Sequence, residues 1–407
     1  MEEWKEYNIG QLCSSVCSGG TPSSKCSEYY DGDIPWLNTK EINFNRIYNT
    51  EKYITEDGLN NSSAKWILED SVIVAMYGAT AGKVAIAKIP LTTNQACCNL
   101  TINPQIADYR FVYYHLYNKY VELASLANGG AQQNLNAQII KDFPICLPTL
   151  SEQKKIVEVL SYLDDKIEVN RRINDNLEQQ AQALFKSWFV DFEPFKDGEF
   201  VESELGMIPK GWSIIPFKDV CINITDGVHN TVKDDMNGNC FLLSCKNIKG
   251  GYVSIGENER RIDEKTFEKL RKRTKLQKGD ILLSSVGTIG EMVLLNEEPT
   301  NYEFQRSVAI IKTNPEKISS HFLYYSMKNQ KEIIIHSAHG AVQQCLFISD
   351  IAGLQTIHPP QNIIQKFTDI AIKIQNKMSI NMQESRRLAE LRDTLLPKLM
   401  SGEIKIT

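Results

Sequence analysis

The sequence predicts an α+β fold: two strand-rich domains held apart by an antiparallel coiled coil of two long helices, with a pseudo-twofold internal repeat. Three observations predict it. The second half of the 407-residue chain repeats the first at an offset of 206 to 211 residues. Each half begins with short β-branched runs such as "SVIVAMY" or "SVAIIK", broken by Gly, Pro and Asn turns. Each half then ends in a long stretch of heptad-like apolar spacing.

The repeat comes first because it sets the boundaries. Trp4 meets Trp212, and "WLNTKEI" (36–42) meets "LLSCKNI" (242–248), which places Lys40 on Lys246. Thr80 and Gly82 meet Thr288 and Gly290, and Gln95 meets Gln305. "GGAQQ" (129–133) meets "HGAVQQ" (339–344), and Pro148 meets Pro359. A unit of this length is a duplicated domain with its connector, not a solenoid repeat. The expected divisions are a first domain at 1–148, a central connector helix at 149–190, a second domain at 191–359 and a C-terminal connector helix at 360–407.

Within the first domain, "GATAGK" (78–83, within "VIVAMYGATAGKVAIAK", 72–88) resembles a phosphate-binding loop. Such a loop needs G-x-x-x-x-G-K-[ST] between a strand and a helix. Here Gly78 and Gly82 are one residue too close, and Val84 stands where Ser or Thr would hold magnesium. In the second copy Lys83 becomes Glu291 and the loop is one residue shorter. The glycines persist while the lysine does not, so the element reads as a tight turn between two strands.

The central helix opens at "PTLSE", where Thr149 and Glu152 form a capping-box pattern. From Ile156 to Trp188, apolar residues recur at spacings of four and three, and adding 211 gives the matching stripe from Phe367 to Leu399. Asn170 and Asn381 interrupt the two seams at equivalent places near the middle. Paired antiparallel, the helices bring these asparagines together, and a buried polar seam residue fixes register. At ~1.5 Å per residue such helices span on the order of 55 Å, a ruler suited to half-sites on duplex DNA that repeat about every 34–36 Å.

Composition is that of a globular protein, 42% hydrophobic and 23% charged, with mean hydropathy −0.30. The opening "MEEWKEYNIG" has no signal-peptide pattern and no run is long enough to span a membrane, so a cytoplasmic location is expected. Ten cysteines without a C-x-x-C pair read as reduced core thiols, not a metal site. The net charge of −5 hides a local excess: residues 259–278 hold nine basic and four acidic side chains, a net +5.

Several longer strings together resemble one known family. They are "LPTLSEQKKIVEVLSYLDDKIEVNRRINDNLEQQAQALFKSWFVDFEPF" (147–195), "ELGMIPKGW" (204–212) and "LRDTLLPKLMSGEI" (391–404). "SGGTPSS" (18–24), "DIPWLNTKEI" (33–42) and "ITDGVHNT" (224–231) support them. In this order around two strand-rich domains, the chain resembles the specificity subunit of type I restriction–modification systems over essentially its full length. The resemblance implies that each strand-rich domain is a target-recognition domain reading one half of a bipartite, asymmetric double-stranded DNA sequence. It implies that the coiled coil docks two modification subunits, which bind S-adenosylmethionine and methylate adenine N6, with motor-endonuclease subunits joining for restriction. The second connector departs from the pattern, since "HPPQNIIQKF" lacks the S-E-Q of the first.

Catalytic motifs are missing from the sequence. "INPQ" (102–105) and "TNPE" (313–316) lack the second proline and aromatic of an adenine methyltransferase loop, and neither H-E-x-x-H nor G-x-S-x-G is present. His229, His336 and His339 are scattered. The chain reads as non-catalytic, with no cofactor of its own and no metal. The rival class is a coiled-coil assembly scaffold that binds no DNA sequence.

The repeat also supplies a filter for DNA-binding residues. Positions shared by the copies serve common structure or phosphate contact, and positions that differ are candidates for base reading. Lys40 and Lys246 fit phosphate contacts. Gln132, Gln133, Gln343 and Gln344 follow a glycine turn, and glutamine can pair bidentately with adenine. Arg271, Lys272 and Arg273 have no basic counterpart in the first copy. Gly19, Gly20, Thr21, Asn38, Thr39, Thr80, Lys83, His229, Asn230, Thr231, Asn247 and Arg306 complete the expected set.

Overall fold

Strands of four to six residues that are apolar at every position cannot lie on a half-exposed sheet; both faces must be covered. In the computed structural model, which describes residues 4–127, 134–256, 258–340 and 344–406, such strands (Val72–Ala75 and Val84–Ala87) form the centre of the first domain. Ile281–Ser284, buried throughout and apolar up to its last residue, takes that place in the second. The chain divides into two compact units, Met1–Glu168 with Ser385–Thr407, and Val169–Glu384.

In the first unit the main strands are β1 (Cys13–Ser18), β2 (Tyr30–Leu37), β3 (Val72–Ala75), β4 (Val84–Ala87), β5 (Leu91–Thr93) and β6 (Cys97–Ile102). A five-stranded sheet runs β1–β6–β3–β4 and ends on Asn45–Ile47. A four-stranded sheet places β2 beside β5 in parallel. All four residues of β3 are buried. Val72 and Val74 face a core with Phe111, Tyr114 and Leu160, whereas Ile73 and Ala75 face one with Leu37, Ile42 and Leu91. Each of the valines and the isoleucine stabilises the unit by roughly 1.5–3 kcal/mol when fully buried.

The second unit repeats this plan with β7 (Cys221–Asp226), β8 (Cys240–Leu243), β9 (Ile281–Ser284), β10 (Met292–Leu294), β11 (Tyr302–Phe304) and β12 (Val308–Thr313). Its main sheet runs β7–β12–β9–β10, and β8 pairs with β11 in parallel. Helices α1 (Glu56–Asn60), α2 (Tyr109–Asn118) and α3 (Leu150–Phe189) alternate with the first set of strands. In the second half come α4 (Glu264–Thr274), α5 (Ser320–Asn329) and α6 (Gln361–Met400).

The long helices α3 and α6 have 40 residues each. Each unit contains one stretch of both. In the first, Arg392 of α6 donates to Asp164 of α3 at 2.7 Å. In the second, Asn170 donates to the Asn381 carbonyl at 3.3 Å and Asn381 to Asn174 Oδ1 at 2.8 Å. In the second unit Asn170 also donates to Glu384 at 2.8 Å and Asn174 to the Met378 carbonyl at 3.0 Å, so partners rise along one helix and fall along the other and the pairing there is antiparallel. Thr149 Oγ1 accepts from the Glu152 amide at 3.3 Å, as its capping role requires. Gln153 is buried here and bridges the Pro148 carbonyl and the Asp108 amide, whereas Ile364 at the same place in α6 packs into an apolar core.

"GATAGK" is a strand–turn–strand element. Beta strands β3 and β4 pair antiparallel on either side of it, and Gly78 and Gly82 take positive φ of 72° and 85°. Their counterparts Gly287 and Gly290 do the same at 79° and 93°. All ten cysteines are free. Cys97, Cys98 and Cys240 are buried, but Cys26 and Cys146 are exposed, so core burial does not describe the whole set. Among the described residues no helix is long and apolar enough to cross a membrane, and no His/Cys/Asp/Glu group could hold a metal ion.

Candidate nucleic-acid interface

Strand ends, not helices, assemble the surface that carries most of the predicted residues. In the first unit, β1, β2, β3 and β5 end where β6 begins, and hydrogen bonds lace the loops together. Gly20 N–H donates to the Thr93 carbonyl at 2.9 Å, Asn94 N–H to the Leu37 carbonyl at 3.0 Å and Met76 N–H to the Ala96 carbonyl at 2.8 Å. The second unit makes the same bonds: Val228 to Phe304 at 2.8 Å, Gln305 to Leu243 at 2.8 Å and Ser285 to Ser307 at 2.9 Å. Each unit therefore presents one edge of loops on a shared backbone frame.

The frame explains several predicted residues as architecture. A Cβ on Gly19 would lie 2.0 Å from the Thr93 carbonyl oxygen, and one on Gly20 would lie 2.2 Å from the Ala64 nitrogen. Gly227 is under the same constraint, 2.1 Å from the Phe304 oxygen. These glycines are required by close backbone approach, and Gly19 and Gly20 are buried, leaving little surface for a groove. Asn38 caps the turn Thr39–Glu41, accepting from the Lys40 amide while its own amide donates to Glu41. Thr39 is partly buried and bonds to Asn38. Asn247 plays the reciprocal part in the second unit, serving the Ser244 amide and the Ser254 carbonyl. It is 2% exposed, and its side chain is spent on folding, not on bases.

Arg271 is the largest departure from expectation. Its guanidinium pairs with Glu303, donates to the Pro299 and Tyr302 carbonyls at 2.7 and 2.9 Å, and lies 5.0 Å over the Phe267 ring. Glu303 is wholly buried, so the arginine neutralises an interior charge. Burial raises the Glu303 carboxyl above its usual range, and Arg271 opposes that shift. The first unit has Thr92 at this place, its hydroxyl donating to the Pro35 carbonyl at 2.9 Å, and needs no arginine. Arg273 is likewise engaged, donating to the Gly227 carbonyl at 2.9 Å and contacting Asp226. Lys272 is exposed and has no partner among the described residues.

The remaining predicted residues divide by exposure. Lys40 and Lys246 sit at equivalent places and each pairs with an acid, Glu51 at 2.5 Å and Glu259 at 3.0 Å. Glu51 raises the Lys40 ammonium above its ordinary value. Lys83 donates to Asn43 Oδ1 at 2.7 Å and lies over the Phe44 ring, while Thr80 bonds weakly to the Tyr77 carbonyl. Thr21 is exposed and contacts Gln95; His229 is exposed and bonds Asp226 at 2.6 Å; Asn230 and Thr231 follow it, exposed. Arg306 and Gln344 are exposed on the same edge of the second unit. Gln132, Gln133 and Gln343 lie outside the described residues.

The strand register also moves one pair from the sequence comparison. Leu37 stands beside Thr93 and Leu243 beside Phe304. Cys97 and Val308 donate to the carbonyls of Asn94 and Gln305 at 3.2 and 3.1 Å. Gln305 is thus the counterpart of Asn94, and Gln95 stands opposite Arg306, not opposite Gln305. The sequence match of Gln95 with Gln305 is therefore off by one residue in the structure.

Comparison with known proteins agrees with this architecture. The family model described as the type I restriction modification DNA specificity domain matches residues 1–179 and 209–389. The MjaIX type I restriction enzyme specificity subunit of Methanocaldococcus jannaschii is 32% identical, across 99% of this chain and 97% of its own. The HindI specificity subunit of Haemophilus influenzae is 22% identical across 99% and 100%. The crystal structure of a type I S subunit from M. genitalium shares the fold with a TM-score of 0.52, at 17% identity and 98% and 96% coverage.

Proposed function

The chain belongs to the family of type I restriction–modification DNA specificity subunits, and we propose that it reads a bipartite, asymmetric site in double-stranded DNA with one domain per half-site. It is a non-catalytic subunit that works within a type I restriction–modification complex on DNA. The observation that carries the bipartite reading is the pair of matched loop edges. Each keeps the same backbone hydrogen bonds but carries different exposed side chains, as a reader of two unlike half-sites requires. Exposed lysines at the edge supply phosphate contacts, and the exposed polar side chains between them face the base edges.

The antiparallel pairing of α3 and α6, with Asn170 and Asn381 in its seam, sets the unread gap by fixing register. The helix pair docks two modification subunits, and motor-endonuclease subunits join for restriction. S-adenosylmethionine belongs to the modification subunits, and the assembly acts in the cytoplasm. The test is methylome sequencing of cells that carry the cognate modification gene with and without this chain. A single bipartite N6-methyladenine motif, lost when the chain is deleted, is the expected result. A methylome that does not depend on the chain while the modification subunit is present would refute the reading.

A further inference from the structure

Gln95 and Arg306 hold the same place in the two domains, and that place is built for reading a base. In both, the residue lies between the parallel-paired strand (β5 or β11) and the central strand (β6 or β12). The residue before it is pinned through its amide, Asn94 to Leu37 and Gln305 to Leu243. The residue after it is pinned through its carbonyl, which accepts from Met76 or Ser285. Both side chains are exposed, so a rigid frame presents a polar group outward at a defined point.

The two side chains differ in the way that base reading demands. A glutamine amide matches the N6 donor and N7 acceptor of adenine, and an arginine fork matches the O6 and N7 acceptors of guanine. Thr21 Oγ1 donates to Gln95 Oε1, which orients the amide while its NH2 and a second lone pair stay available. His229 takes the place of Thr21 in the second domain and is held by Asp226. The Arg306 guanidinium has no hydrogen bond or ion pair among the described residues, unlike those of Arg271 and Arg273.

We infer that positions 95 and 306 are one base-reading position used twice, with Gln95 selecting adenine in one half-site and Arg306 selecting guanine in the other. The inference rests on the DNA-reading function proposed above and names the residues that set part of its specificity. The experiment uses the full chain with its cognate modification subunits acting on a randomised DNA library, read out by the methylated sequences. R306Q is expected to lower discrimination for guanine at one base pair of one half-site by ~10- to 100-fold and to shift it toward adenine. Q95R is expected to shift a base pair of the other half-site from adenine toward guanine. An unchanged motif in both variants overturns the inference. So does a uniform loss of methylation across all sequences, which marks a phosphate contact. A wild-type complex lacking any chain-dependent motif overturns the DNA-reading function itself, a result that neither variant alone would produce.

Discussion

The two units close their helix pair against the globular domain with different chemistry. In the second, Phe185 and Phe189 of α3, Phe322 of α5 and Phe367 of α6 form an edge-to-face cluster with ring centroids 4.8–6.1 Å apart. In the first, the equivalent places hold Leu396, Met400, Phe111 and Ile156, an aliphatic packing with one ring. Beside it Arg392 joins Asp164 and the Tyr117 hydroxyl, and Tyr114 donates to Asp164 at 2.5 Å. The counterpart of Arg392 in the second unit is Ala181, buried against the aromatic cluster. There Tyr325 turns to Glu178, which also receives Lys328. Duplication preserved the backbone and allowed each interior to find its own partners.

Removing Arg271 should break this comparison hardest. Arg271→Ala leaves Glu303 charged and buried in the second unit, which should cost ~3–5 kcal/mol and lower that unit's thermal transition. Adding Glu303→Thr, the first unit's solution, should recover much of the loss; a double variant as unstable as the single one contradicts the pairing. Next in size is Arg392→Ala. Asp164 keeps Tyr114 but loses its charge-assisted bond, a cost of ~1.5–3 kcal/mol expected in the first unit. Denaturant unfolding followed by amide exchange in each unit would locate the loss.

Asn381→Ala strands the buried Asn174 Oδ1 and should cost ~1–2 kcal/mol, measurable in the same unfolding experiment. Acid should separate the units more gently. Burial pushes the imidazoles of His115 in the first unit and His321 in the second down to about 4. The unfolded chain takes up those protons near the ordinary value of 6.5, so stability from both histidines is present above that pH and is lost as pH falls toward about 4. In the second unit burial raises Asp280 and Glu303, whose contribution runs the other way, being present at low pH and lost as pH rises. Between about pH 6.5 and pH 4 the first unit should weaken more steeply than the second, as amide exchange across a pH series would show. The smallest effect belongs to Lys40→Ala: its pair with Glu51 is exposed and screened by solvent, so unfolding should shift barely at all.

Much of this could be read from residue order because it depends on neighbours in the chain. The strand runs around Val72 and Ile281, the glycine turns between them and the Thr149 cap all arise from local backbone preference and apolar period. The seam asparagines follow from the heptad spacing of the apolar residues on either side of them. The partners of Arg271, the burial of Asn247 and the equivalence of positions Gln95 and Arg306 do not. A run of basic residues has the same spelling whether its arginines meet solvent or a buried glutamate 32 positions away. Two glutamines at similar offsets look equivalent until the parallel pairing of β2 with β5 and β8 with β11 fixes which residue follows which carbonyl. By itself the sequence determined two copies of one plan, their helices and their turns. The tertiary structure decided which charges are interior and which side chains stand on the exposed edge, because only closure between distant segments creates either surroundings.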